Sequence, residues 1–434
     1  MRTRLFLSLY LVLQTLSFQY NLFGVATRGH FNYFAEVTES MVHARLALTE
    51  QRGLLDYGGL LIQFKCKDRN EIIDYQRRTY TKGEAICEPI IPYKSRPSLQ
   101  SFIFCGIDFI SPFDNSTNLK LFEWLAALVS AGCLTWFLSW VVSAFSPTSG
   151  ILLAGSFLLS PWITVSGGHL YWISGLLFLP FTFVAFQMKT QAFKPLLLFS
   201  GAAGLFFLKS LCIGYELVTT TLVMYTIPVF YYAFSRKWTL KNFLVRFGIV
   251  SLGLLAGLVL SMAVLFWQMS YLEKPQKTGF AHIQDRLEVR TSGNAQLYMS
   301  NPNIRAASAA TLSEMMNKYW LVALFRIPIP FFKPFGLQAL PLPAIFVLAL
   351  GLLESFVGLC RQRKRALALT VLVSILAPAS WFVIFKAHSF LHPHLDTIAW
   401  FLPTVPLMVI LWGELLVGGL SRLGIHRSRR MTSL

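Results

Sequence analysis

Charge is what this sequence has least of. Only 13% of its residues are Asp, Glu, Lys or Arg, where a soluble domain carries about a quarter. Acid is scarcer than base, 20 residues against 38. The shortage excludes an ordinary water-soluble domain, because the missing charge is replaced by long apolar blocks rather than short amphipathic ones. Recognisable nucleotide chemistry is absent too. No Walker loop, Rossmann glycine pattern, Ser-x-x-Lys set or metalloprotease motif occurs, which argues against nucleotide hydrolysis as an energy source in this chain. No repeat stands out, and the paired interrupted spans of a transporter built from inverted halves are missing. Cysteine is sparse, six residues in all. Cys133, Cys212 and Cys360 fall in or beside apolar text and read as packing residues. Cys66 and Cys87 lie in a long polar segment and can pair if it faces an oxidising compartment, with Cys105 as a competitor.

What the chain does have is apolar length. About 20 apolar residues are needed to cross the hydrocarbon core. Ten stretches read as spans: 5–25, 120–145, 150–166, 170–188, 195–212, 217–234, 245–270, 338–360, 366–385 and 397–419. The expected fold is an all-α polytopic membrane protein of about ten transmembrane helices with an extracytoplasmic cap. Its units are an N-terminal transmembrane module 1–270 with a long polar loop at 26–119, a loop or lid at 271–337, and a C-terminal three-helix module 338–434. The basic, apolar start resembles a cleavable signal, but Gln14, Gln19 and Tyr20 make a poor cleavage site, so it reads as a retained first span.

Lys and Arg set the orientation. With both termini cytoplasmic, sixteen basic residues and no acid collect in the inner pieces, from Arg2 and Arg4 to Arg427, Arg429 and Arg430. The net charge of +18 is then a topology signal and not a nucleic-acid footprint. Both long polar segments and seven of the eight histidines fall on the outer, periplasmic side of a bacterial inner membrane. From Phe31 to Arg52 apolar residues recur at helical spacing, as expected of an amphipathic helix lying on the membrane surface. Text near 320–330 is too broken by proline to span and reads as re-entrant or interfacial.

Several residues can carry chemistry on that outer face. Glu36 and Glu39 are three apart, share one face of a helix, and could take a proton from an acceptor hydroxyl; the alternative is a solvated face beside Arg45. Asp56, before Gly58 and Gly59, is a weaker candidate and a natural turn residue. Lys209 closes one span and Glu216 opens the next. They either pair with each other or, in the second reading, Lys209 binds a phosphate while Glu216 or Tyr215 orients it. His169 follows two glycines that would let a ligand approach the backbone. Lys386, His388, His392, His394 and Asp396 crowd one short connection, where they could bind phosphate or pyrophosphate, or hold a divalent metal. Arg96, Arg286, Arg290 and Arg305 could grip phosphate in bidentate fashion or make loop salt bridges.

Three patches carry a resemblance: Phe34-Ala35-Glu36-Val37-Thr38-Glu39-Ser40-Met41; Gly167-Gly168-His169-Leu170-Tyr171-Trp172 with the Lys209–Glu216 text after it; and His388 to Asp396. Together with the plan of one span, a long outer segment, many further spans and a late outer loop, they resemble the GT-C class of bacterial membrane glycosyltransferases. The resemblance implies a polyprenyl-phosphate sugar donor, a periplasmic glycan, glycolipid or protein acceptor such as a pilin, and inverting transfer without an organic cofactor, metal-independent or metal-assisted. It also implies a carboxylate base in the first outer segment. Relatives using aminoarabinose lipids tend to have Asp-Glu where this chain has His30-Phe31, which shifts the expected base to Glu36. The competing readings are a lipid-linked glycan flippase or transporter, and a glycan ligase or acyltransferase.

Overall fold

The computed structural model describes residues 2–35, 38–272, 279–291, 302–328 and 339–422. It is overwhelmingly helical, with two short antiparallel ribbons, Ile62–Phe64 with Ile90–Pro92 and Ala323–Pro328 with Ala339–Pro343. The chain is a membrane-embedded all-α protein, but not one of ten spans. Among the described residues five helices are long and apolar enough to cross a bilayer: Asn115–Ala144, Pro195–Ile213, Leu240–Ser270, Arg365–Ile384 and Thr397–Gly419. A sixth exists if Pro147–Leu158 and Pro161–Gly167, bent by 73° at their junction, count as one.

The surplus expected spans fail for separate physical reasons. Arg2–Tyr20 is long enough, but Arg4, Gln14, Thr15 and Gln19 dilute its apolar character. The stretch 150–166 is the bent pair, broken at Ser160-Pro161 because proline has no N–H to continue the ladder. The freed Leu159 carbonyl accepts the Arg326 N–H at 2.9 Å. Of 170–188 only Ser174–Lys189 is helical in any form, and it is short. The stretch 217–234 divides into Val218–Met224 and Ile227–Arg236, with Pro228 opening the second piece. The stretch 338–360 begins as a strand, leaving the 16-residue helix Ala344–Leu359. The broken text near 320–330 is the partner strand, Ala323–Pro328, as far as it is described.

Small residues let the long helices approach. Gly253 and Gly257, spaced four apart on Leu240–Ser270, face Pro195–Ile213. A Cβ at Gly257 would stand 2.4 Å from the Ala203 carbonyl oxygen, and one at Gly253 would stand 2.7 Å from that of Phe199. Helices without a hydrophobic drive between them rely on this close approach.

The first polar segment forms a cap. Its helix Thr38–Arg52 does not lie along a surface, as its spacing suggested. Every residue from Ser40 to Leu48 is buried. It is the spine of a small core in which Ala44, Leu48, Ile62, Phe64, Ile72 and Ile90 pack. A disulfide joins Cys66 and Cys87, pinning the cap ribbon, while Cys105 stays free. Tyr80 and Asn118 both donate to Asp108 Oδ1, at 2.6 and 2.7 Å, which ties the cap to the start of Asn115–Ala144.

Candidate functional site

A cavity of about 180 Å³ opens where the end of Leu240–Ser270 meets the cap and the later helices. Its floor is apolar, built from Leu258, Met262 and Leu265 of that spanning helix with Val218, Leu287 and Phe385. Its rim is cationic: Lys94 from the cap, and Arg286 and Arg290 from the helix Gly279–Thr291. Tyr215 lines the same space. Arg286 and Arg290 are four apart and therefore share a helix face.

Behind the rim lies a buried polar knot. Arg290 donates to Glu216 Oε1 at 2.9 Å, and His388 Nε2 donates to Glu216 Oε2 at 2.8 Å. The His392 ring stands 4.6 Å from that of His388. Burial pushes the Glu216 carboxyl up, but Arg290 and then His388 pull harder, and it settles well below the ordinary carboxylate range. Burial pushes Arg290 down, and the Glu216 charge more than restores it. Burial and the neighbouring His388 bring His392 down to about 4, so its imidazole is neutral at neutral pH.

A second knot sits on the cap side. Glu39 Oε1 accepts the Leu170 N–H at 3.0 Å and lies 4.0 Å from His169 Nδ1. Glu39 keeps a quarter of its side chain exposed, whereas Glu216 keeps 7%. Burial raises the Glu39 carboxyl, yet His169, His43 and the Leu170 N–H bring it below its usual value. Desolvation lowers His169 and takes His43 to about 4. Glu39 is thus a partly exposed carboxylate held below its usual range. The two knots meet through Tyr171, whose N–H donates to His169 Nδ1 at 3.0 Å and whose ring lies 6.3 Å from Tyr93, the neighbour of Lys94.

The residues singled out from sequence divide into three sets. Brought together are Tyr215, Arg286 and Arg290 on the cavity wall, with Glu216, His388 and His392 in the knot behind Arg290, and separately Glu39 with His169. Set apart are Asp56, whose Oδ1 accepts the Tyr57 N–H within its own turn, Arg305, exposed on Pro302–Ala309, and Lys386, whose charge acts on Glu314. Lys209 pairs with no carboxylate among the described residues: its Nζ donates to the Gly214 and Glu216 backbone carbonyls at 3.2 and 3.4 Å. Arg96 also serves the backbone, donating to the Ile213 and Tyr171 carbonyls at 2.6 and 2.8 Å. Glu36 lies outside the described residues. His394 and Asp396 fall in the helix Pro393–Trp400, with side chains outside the described set. Among the described residues no three His, Cys, Asp or Glu side chains converge as metal ligands.

Sequence reading missed Lys94, Tyr93 and His43. Their only signal was position in a polar segment that the fold closes over the cavity. No known protein family, curated protein or solved structure matches this chain.

Proposed function

We propose that this protein is an integral membrane glycosyltransferase that takes a sugar from a polyprenyl-phosphate donor and transfers it to a hydroxyl of a glycan, lipid or protein acceptor. The observation that carries the reading is the cavity: an apolar floor on a spanning helix beneath a rim of Lys94, Arg286 and Arg290. An amphiphile with a prenyl tail and an anionic head needs both surfaces at once. The tail stays against Leu258, Met262 and Leu265, while the cations neutralise the phosphate as the glycosidic bond breaks. Fixed charges in a poorly hydrated site cost no reorganisation during that step.

Glu216 holds Arg290 rather than reacting, since both its oxygens are occupied. Glu39, ionised and partly open, is the better proton acceptor among the described carboxylates. Glu36, three residues earlier in the sequence, is its rival. On this reading the site works at the outer face of a bacterial inner membrane, with both termini cytoplasmic.

The deciding experiment follows radiolabelled sugar from a synthetic prenyl-phosphate donor panel in proteoliposomes. Transfer by the wild type, abolished in Glu39→Gln or in Glu36→Gln with donor binding intact, supports the proposal and names the base. Donor binding without any transfer, accompanied by movement of donor between leaflets, replaces it with a lipid-carrier transporter. Full activity in both variants removes the first-segment carboxylates from the mechanism.

A further inference from the structure

A second cavity, about 620 Å³, lies far from the first. It opens where the turn after Asn115–Ala144, the end of Ile227–Arg236 and the turn before Arg365–Ser374 meet. The span Arg365–Ile384 links the two regions. Arg365 lines the second cavity at its start, and His388 follows just beyond its end. Twenty helical residues rise about 30 Å, so the two cavities belong to opposite polar faces of the membrane-embedded helices.

The charge on its wall is unbalanced. Lys237, Arg363, Lys364 and Arg365 converge there from two different turns, and Glu414 is the one acid lining it. Glu414 is already committed. Lys364 donates to Glu414 Oε2, and the Ser146 N–H and Ser149 Oγ donate to Oε1 at 2.7 and 3.0 Å. Three cations remain, Lys237, Arg363 and Arg365, all exposed and without an acidic partner among the described residues. A topology signal explains why cations collect on one face. It does not explain why they line a recess walled by Phe145, Tyr231 and Phe234. The first turn of Arg365–Ser374 also contributes to the wall, adding the positive end of a helix dipole to the side-chain charge.

We infer that this cavity binds a phosphate-bearing anion. Two guanidinium groups and an ammonium supply the charge-assisted donors that a phosphate's non-bridging oxygens accept, and the aromatic walls suit a less polar group attached to it. Two sources supply that chemistry on a membrane face: the headgroup of an anionic lipid, or a soluble phosphate such as pyrophosphate. The inference does not rest on the glycosyl-transfer reading, and its test involves no sugar.

The experiment uses the full chain, delipidated in neutral detergent. Dioctanoyl phosphatidylglycerol, dioctanoyl phosphatidylcholine and sodium pyrophosphate are each titrated by calorimetry against wild type, Arg363→Gln/Arg365→Gln and the milder Lys237→Gln. Saturable binding of one anion, weakened roughly tenfold or more in the double variant and severalfold in the single one, is expected. Preference for phosphatidylglycerol assigns a lipid headgroup, whereas equal or better binding of pyrophosphate assigns a soluble ligand. Unchanged affinity in Lys237→Gln and the double variant overturns the inference. So does equal binding of phosphatidylcholine, or no saturable binding of either anion. Should the double variant fail to fold, Lys237→Gln alone decides.

Discussion

Glu216→Gln removes the one negative charge that two buried cation-capable groups share. Glu216, Arg290 and His388 retain 7%, 15% and 10% of their side-chain exposure. Breaking a buried pair by deleting one partner costs about 3–5 kcal/mol. Arg290 borders the cavity and can draw on water there, so the expected loss lies at the lower end, about 3 kcal/mol. The amide keeps one oxygen for Arg290 but carries no charge, and its NH2 group meets His388 only if the ring presents Nε2 as an acceptor. A double-mutant cycle with Arg290→Gln isolates the pair. Each single change is expected to cost most of the total, and the double change little more than either, giving a coupling of about 2 kcal/mol. The assay is reversible unfolding in mixed micelles, followed by tryptophan fluorescence. The sign with pH is fixed by the direction of the shift. Glu216 titrates below its ordinary range in the folded protein, so its contribution is complete above the ordinary carboxylate pKa and disappears as pH falls through the folded value. Glu216→Gln should flatten the stability curve on that acid side. Additive single effects, with coupling below about 0.5 kcal/mol, would refute the claim that this carboxylate holds Arg290 in place.

Three other outcomes are expected. Lys94→Gln and Arg286→Gln should each weaken donor use by about tenfold or more while leaving folding intact, and added salt, which screens the wild-type charges, should narrow the gap to wild type, measured by transfer kinetics. His43 and His392 both titrate near 4 in the folded protein, below the ordinary histidine value. Each therefore stabilises fully above pH ~6.5 and progressively less as pH falls toward 4. His43→Gln/His392→Gln should reduce the slope of unfolding free energy across that window by about 1–3 kcal/mol per pH unit at most. Gly257→Leu should force Leu240–Ser270 away from Pro195–Ile213 and destabilise by about 2 kcal/mol or more, whereas Gly248→Leu, which meets open space, should be close to neutral in the same unfolding assay.

Membrane class and helical architecture were legible because they depend on local text: apolar runs and scarce charge. The number of spans was not. The stretches 150–166 and 217–234 carry no charged residue, and hydropathy cannot see a 73° bend or a break before Pro228. The connection 386–396 stood out by its density of histidine, and His388 there meets a buried carboxylate. That pairing was not legible, since Glu216 lies 172 residues from His388 and 74 from Arg290. Gly253 and Gly257 carry a readable signal, two glycines four apart in an apolar helix. Lys94 had only its place in a polar segment, because it is the folding of the cap that brings it to the rim.

The broken spans and the polar knots are two aspects of one arrangement. Where a helix stops among packed neighbours, its last carbonyls lose their partners and must find donors, since bulk water is remote. Pro195–Ile213 stops at Gly214, whose φ of +80° and close approach to Arg96 leave no room for a side chain. The carbonyls released around that break are taken by Arg96 and Lys209, and the Tyr171 carbonyl in the neighbouring break is taken by Arg96 and Gln100. Those two cations are therefore consumed by backbone, which is why residues that looked like phosphate ligands are not on the rim. The chain released by the same break carries Tyr215 to the cavity and Glu216 to Arg290. Interrupting the helix thus places a carboxylate deep enough to anchor one rim cation, while the backbone's own demand absorbs the cations that would otherwise neutralise it. A helix continuous through 213–218 would have satisfied its carbonyls internally and given Arg96 and Lys209 no backbone there to serve.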